Sequence, residues 1–413
     1  MLKKISKIAI ILVCGIILGT LLIIGAFALP VNRIENNVSK SLQVFNKEDV
    51  YQNVISGYKA TQLDNFTDAV MLNAAMYNGN ENLIDKAMND YHESIDGKNP
   101  VDVMKAHFNG DKTLPSAYTR YWHGYLVVLK PLLLFFNYSD IRILNMFVQM
   151  FLVFLVIILM CKRNLKRYVI PFGVSIMFLC PVVLPLSMQY STMFYILLLA
   201  MISILLHHEY FEEKSLYIYI FMIFGMVTSY FDFLTYPLVS LAMPLTLLLL
   251  IRNDKNLKNN VIEVIKLSIM WGIGYVFMWA GKWLVGSILL GQNVFKNAFD
   301  NVASRTSLQA LDYKITIAEV LRQNVNMLRK PIYILITAVI ILWGIYKVIR
   351  IKANVKNLII TSIPYLIIIC MPFVWYIGAS NHSYIHYWFT FRELSICAFT
   401  GTCLIFKITE KAE

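Results

Sequence analysis

The stretch IAIILVCGIILGTLLIIGAFAL, residues 8–29, carries no charged side chain and stops at Pro30. A helix rises about 1.5 Å per residue, so a run of roughly twenty apolar residues crosses a hydrocarbon core of about 30 Å. Lys3, Lys4 and Lys7 stand in front of it, which assigns that end to the cytoplasm under the positive-inside rule. Ala26-Phe27-Ala28 has the small residues of a signal-peptide cleavage site, but the run exceeds a signal peptide's roughly 7–15 apolar residues. It reads as an uncleaved first span.

The rest of the chain repeats this pattern. Of 413 residues 58% are hydrophobic and 15% charged, and mean hydropathy is +0.60; a soluble domain has roughly 45–50% apolar and 25% charged residues. A soluble globular protein, a disordered chain and a secreted disulfide scaffold are excluded. Further apolar runs lie near residues 141–161, 168–186, 192–207, 216–232, 235–251, 262–290, 331–348, 357–377 and 388–407. The expectation is an all-α polytopic membrane protein of about ten transmembrane helices, a single integral domain over residues 1–413. Cys14, Cys161, Cys180, Cys370, Cys397 and Cys403 fall in or beside apolar runs without C-x-x-C spacing and read as small buried hydrophobes.

The net charge of +12 comes from 37 Lys+Arg against 25 Asp+Glu. In a polytopic chain that excess belongs to cytoplasmic loops before it suggests nucleic acid, and no nucleic-acid partner is expected. Three basic clusters, Lys162 to Arg167, Arg252 to Lys258 and Lys347 to Lys356, all fall inside if there are about ten spans and both termini are cytoplasmic. The run Tyr121 to Phe136 is nearly long enough to span, but it would move Lys162 to Arg167 outside, and Lys130-Pro131 interrupts it. It reads as an interfacial or re-entrant segment.

Two long loops remain on the extracytoplasmic side: a subdomain with interfacial helices over residues 30–140, and a helical loop over 291–330. In the second, Val294, Phe295, Ala298, Phe299 and Val302 recur at helical spacing, as do Ile317, Val320, Leu321, Val325 and Leu328.

Ionisable groups at the membrane edge are costly and are the first functional candidates. Asp64 and Asp68 are one helical turn apart in Gln62 to Leu72; a general base and a helix N-cap are the two readings. The sequon Asn65-Phe66-Thr67 overlaps them. Arg120, His123 and Lys130 lie among aromatics, as interfacial or phosphate-binding groups do. Asp232 sits between two Phe residues and needs a partner such as Lys282 or a ligand hydroxyl. Lys282, Lys296, Arg305, Lys314 and Arg322 put cations on the outer side, where a lipid-linked phosphate, or else Asp300, Asp312 and Glu319, would hold them. His382 and His386 at i,i+4 match one half of a zinc site but lack its Glu and third ligand. With Arg392 they suit anion binding or acceptor orientation, unless Arg392 pairs internally with Glu393 or Asp232. No phosphate loop and no G-x-S-x-G elbow is present, and neither a metal nor another cofactor is expected.

Taken together, the inside N-terminus, the large first outer loop with Asp64 early in it, the interfacial helices and the cationic outer loops resemble the GT-C superfamily of membrane glycosyltransferases. The resemblance implies transfer of a sugar from a polyprenyl-phosphate carrier to a glycan or lipid-linked acceptor at the extracytoplasmic face of the bilayer, with inversion. It implies Asp64 as base, and Lys282, Arg305 and Arg392 as candidates for the carrier phosphate. Many members have adjacent acids in the first loop, whereas Asp64 and Asp68 are four apart. An O-antigen-polymerase-like enzyme, a lipid-linked oligosaccharide flippase and a non-enzymatic transporter are the other classes.

Overall fold

A computed structural model describes residues 2–310, 313–350 and 354–409; Asp312, and Lys352 of the third basic cluster, lie outside the described residues. Among the described residues, seven helices are long and apolar enough to cross a membrane: Lys3–Phe27, Tyr138–Lys162, Met188–Glu213, Leu257–Leu290, Pro331–Arg350, Val355–Gly378 and Tyr387–Ile408. Two more of the expected runs form shorter apolar helices, Tyr217–Phe231 and Val239–Arg252. The run at 168–186 is helical only over Val169–Phe178 and continues in turns. The protein is thus a polytopic, all-α membrane protein. Leu21, Phe147, Phe151 and Ile349 stay exposed on its spans, as lipid-facing residues do.

Contacts sort the loops to two ends of the bundle. At one end Arg163 pairs with Glu209 and Arg252 with Glu212, Arg167 reaches the Phe406 carbonyl, and Trp343 packs on Phe406 at 4.7 Å. Lys347 lies over the same Trp343 ring at 5.9 Å, so this end holds basic residues from all three clusters. At the other end Lys282 donates to the Met88 carbonyl at 2.8 Å, Trp283 to that of Arg120 at 3.0 Å, and Asn324 to that of Ser383 at 2.9 Å. Both long loops therefore cap the same end.

Close packing is most marked between Tyr217–Phe231 and Leu257–Leu290. A Cβ on Gly225 would stand 2.0 Å from the Trp271 carbonyl oxygen, and one on Gly274 2.0 Å from that of Met222. Small residues let helix backbones touch in this way within lipid, where packing replaces the hydrophobic effect as the source of association. Gly274→Ala should therefore push the helices apart, costing about 1–3 kcal/mol. The expected readout is a lowered melting temperature in detergent; an unchanged one would mean the pair is looser than this.

The first loop folds into the helices Val31–Phe45, Asn65–Met76, Leu83–Asn89 and Pro100–Phe108. A short antiparallel pair joins them, His92–Ser94 with Leu114–Ser116. Ile34, Val38, Ser41 and Phe45 form the buried stripe of the first of these helices, at helical spacing. Asp64, Asn82 and Asn99 cap the next three through their side chains. Residues 121–136 yield only the helix Leu126–Leu133, with Pro131 near its end; a capping box at Asn137 and Asp140 then starts the next span. In the second loop Val294–Thr306 and Ile317–Asn326 are helices. An antiparallel pair of Gln309–Ala310 with Tyr313–Lys314 lies between them; two-residue strands leave too short a pattern to read from sequence.

Candidate functional site

A cavity of about 910 Å³ opens between Leu257–Leu290, Val355–Gly378 and Val294–Thr306. Its wall runs from Ser268 to Trp283 on the first of these helices, about 22 Å at 1.5 Å per residue. Tyr275, Trp279, Ile367, Met371 and Val374 make it apolar, and among the described residues the charged ones lining it are Arg120 and Arg305. Both belong to the end capped by the long loops. Arg120 lies over the Tyr118 ring at 4.4 Å, and its buried Nε has no hydrogen-bond partner. Arg305 donates to His386 Nε2 at 3.2 Å. Neither guanidinium has a carboxylate partner among the described residues.

Beside this mouth, His382 Nε2 is 2.8 Å from the Leu234 carbonyl. That contact assigns its proton to Nε2, while the bond from Arg305 assigns the proton of His386 to Nδ1. The Nδ1 atoms of both are buried and, among the described residues, unpartnered. Burial first, then the positive charge of Arg305, pushes His382 down to about 3; burial, His382 and Arg305 lower His386 as well. The two rings are thus neutral at pH 7, and the mouth keeps the charge of its arginines. Among the described residues no set of three His, Cys, Asp or Glu side chains comes together to hold a metal.

The His386 ring lies 5.2 Å from that of Trp388, and the Trp388 indole faces the carboxyl of Asp64. Asp64 is the N-cap of Asn65–Met76, accepting from the Thr67 N–H at 3.0 Å, and is 2% exposed. Burial pushes its carboxyl up to about 6; the Thr67 N–H opposes this, and the nearby Asp68 adds to it. A path of neighbouring groups therefore runs from Arg305 through His386 and Trp388 to Asp64. Capping and chemistry are compatible here, because the cap uses one carboxylate oxygen.

Asp68 is engaged differently. It accepts from the N–H groups of Met188 at 2.9 Å and Gln189 at 3.2 Å, and from the Tyr138 hydroxyl. It thereby caps the span that starts at Met188, where a negative charge suits the helix dipole. Asp68→Asn would turn an amide N–H₂ toward these donors and should cost about 1–3 kcal/mol. A lowered melting temperature in detergent is the expected result; lost activity with unchanged melting would return Asp68 to the chemistry.

The other sequence candidates scatter. Lys130 donates to the Ala75 carbonyl at 2.7 Å and Lys282 to that of Met88 at 2.8 Å, each near the C-terminus of a first-loop helix, where cations are favoured. His123 Nδ1 is 2.7 Å from Asp90. Lys282 does not line the cavity that its neighbours Trp279 and Trp283 line. Arg392, fully buried, donates to the carbonyls of Leu179, Trp388 and Ala60 and covers the Tyr190 ring at 4.1 Å. It does not pair with Glu393, which accepts from the Leu238 N–H at 3.0 Å. Asp232 accepts from the Thr235 N–H at 3.0 Å and shapes the turn holding Leu234 at φ 65°, a conformation uncommon for such a residue. Lys314 and Arg322 are exposed on the second loop.

Trp388, Tyr118, Tyr51, Glu48 and Asp90 join the site or its support without having been sequence candidates. Glu48 receives both Arg142 terminal nitrogens, at 2.6 and 2.9 Å, and holds Asn65 with the Asp49 carbonyl. Asn65 is fully buried, so the folded state closes the sequon. No local signal marks these residues, since their partners lie far along the chain. Comparison with known protein families, with curated proteins and with solved structures finds no match to this chain.

Proposed function

We propose that the protein is a GT-C-type membrane glycosyltransferase that moves a sugar from a polyprenyl-phosphate carrier to a glycan or lipid-linked acceptor at the extracytoplasmic face. The observation that carries the reading is the apolar cavity whose charges, among the described residues, are two arginines without carboxylate partners. An apolar chain fits the groove, and an anionic head fits the arginines, which bind phosphate oxygens bidentately. The supporting observation is Asp64, reached from Arg305 through two rings. In the reaction the Asp64 carboxylate takes the proton of an acceptor hydroxyl while its oxygen bonds to the anomeric carbon. The bond from that carbon to the phosphate oxygen breaks, the polyprenyl phosphate leaves with the electron pair, and the sugar is inverted. Arg120 and Arg305 hold the charge that develops on the leaving phosphate. A flippase would need polar groups through the bilayer depth, and the lining below the two arginines favours a transferase.

The membrane arrangement that goes with this reading has about ten passes, with the short helices near 169–178, 217–231 and 239–252 included, and both termini in the cytoplasm. A cysteine placed at Lys166 should be labelled only after the membrane is opened; labelling from outside would reverse the topology. Purified protein given a panel of polyprenyl-phosphate sugars and a glycan acceptor should yield a product heavier by one sugar. Absence of transfer across a broad panel would sink the enzymatic reading.

A further inference from the structure

Next to Asp64 two aromatic rings are partly exposed. Tyr51 is 42% exposed and Phe66 37%; their rings are 6.2 Å apart and inclined by only 7°. Tyr51 also meets the edge of Trp388 at 5.7 Å. An ordinary core would bury such rings, and an exposed apolar patch rimmed by polar groups marks a contact surface. The rim here is polar: Lys47 and Asp49 are exposed just before Tyr51. One buried polar atom close by, the Gln62 side-chain oxygen, lacks a hydrogen-bond partner among the described residues, and the Trp388 indole N–H is turned toward Asp64. Phe66 is two residues beyond Asp64 in the same helical turn, so anything stacked on the rings is held near that carboxylate.

We propose that Tyr51 and Phe66 form the platform for a sugar ring of the acceptor, which makes the acceptor a glycan. The apolar C–H face of a pyranose packs on aromatic rings, and its hydroxyls donate to the Gln62 side-chain oxygen and present one oxygen to Asp64. The assignment of chemistry rests on the transferase reading; the binding does not.

The test uses the full chain in lipid nanodiscs over an array of defined mono- and oligosaccharides, with Tyr51→Ala, Phe66→Ala and the ring-keeping Phe66→Tyr. Wild type should bind a class of glycans, and each Ala variant should bind it about tenfold or more weakly, whereas Phe66→Tyr stays within about threefold. The proposal fails if wild type binds no glycan or if the Ala variants bind as it does. It also fails if the fluorescence of a Phe66→Trp variant is quenched by brominated lipid, which would make the patch a bilayer anchor. Glycan binding without transfer from any polyprenyl-phosphate sugar would uphold the platform and overturn the transferase reading.

Discussion

Asp64→Asn should lower sugar transfer roughly 10²–10⁴-fold with melting temperature and membrane insertion close to wild type. The amide keeps the oxygen that caps Thr67 but cannot take a proton. The pH profile gives a second readout. With the carboxyl pushed up to about 6 by burial, the ionised base is depleted as pH falls through that value. The rate should therefore level off above about pH 6 and drop tenfold per unit below it. Asp64→Asn should abolish that acid limb in whatever activity is left. A mild loss in Asp64→Asn with the limb intact would leave Asp64 as a helix cap only.

Arg305→Lys and Arg120→Lys should each raise the KM for the polyprenyl-phosphate donor by about tenfold, because an ammonium cannot reproduce the planar fork that grips two phosphate oxygens. Acceptor binding and melting temperature should stay near wild type, since neither guanidinium holds the fold through a carboxylate. Arg392→Lys behaves differently. Three of its N–H groups satisfy backbone carbonyls in a fully buried site, and lysine reaches fewer of them. That variant should lose stability by about 1–3 kcal/mol for the carbonyls left unpaired. Donor kinetics matching wild type in both Arg305→Lys and Arg120→Lys would move the phosphate elsewhere.

Composition and hydropathy by themselves determined that this is a helical membrane protein. A bilayer offers no partner for an open backbone, so long apolar runs have one available structure. The alternation of basic clusters with apolar runs likewise forecast which loops share an end, and the 3.6-residue spacing at Val294 and Ile317 forecast the helices of the second loop. Asp64, Arg120, Arg305, His382 and His386 were all nameable, because ionisable groups at a membrane edge stand out.

Which of those candidates belong together was decided only by the tertiary structure. Lys282 and Arg305 look alike as outer cations, yet one ties a carbonyl at the end of a first-loop helix and the other faces the apolar groove. The difference lies in their helices: Lys282 is on Leu257–Leu290, where Trp279 and Trp283 line the groove and it does not, whereas Arg305 is on Val294–Thr306, which closes the groove's mouth. Asp64 and Asp68 share a helix, but only Asp68 meets the N-terminus of a span that begins 120 residues later. Tyr51 and Trp388 touch although 337 positions separate them in the chain. Residue type sets which interactions a side chain can make, while the packing of distant segments sets which of them remain after the carbonyls, helix ends and rings have been satisfied.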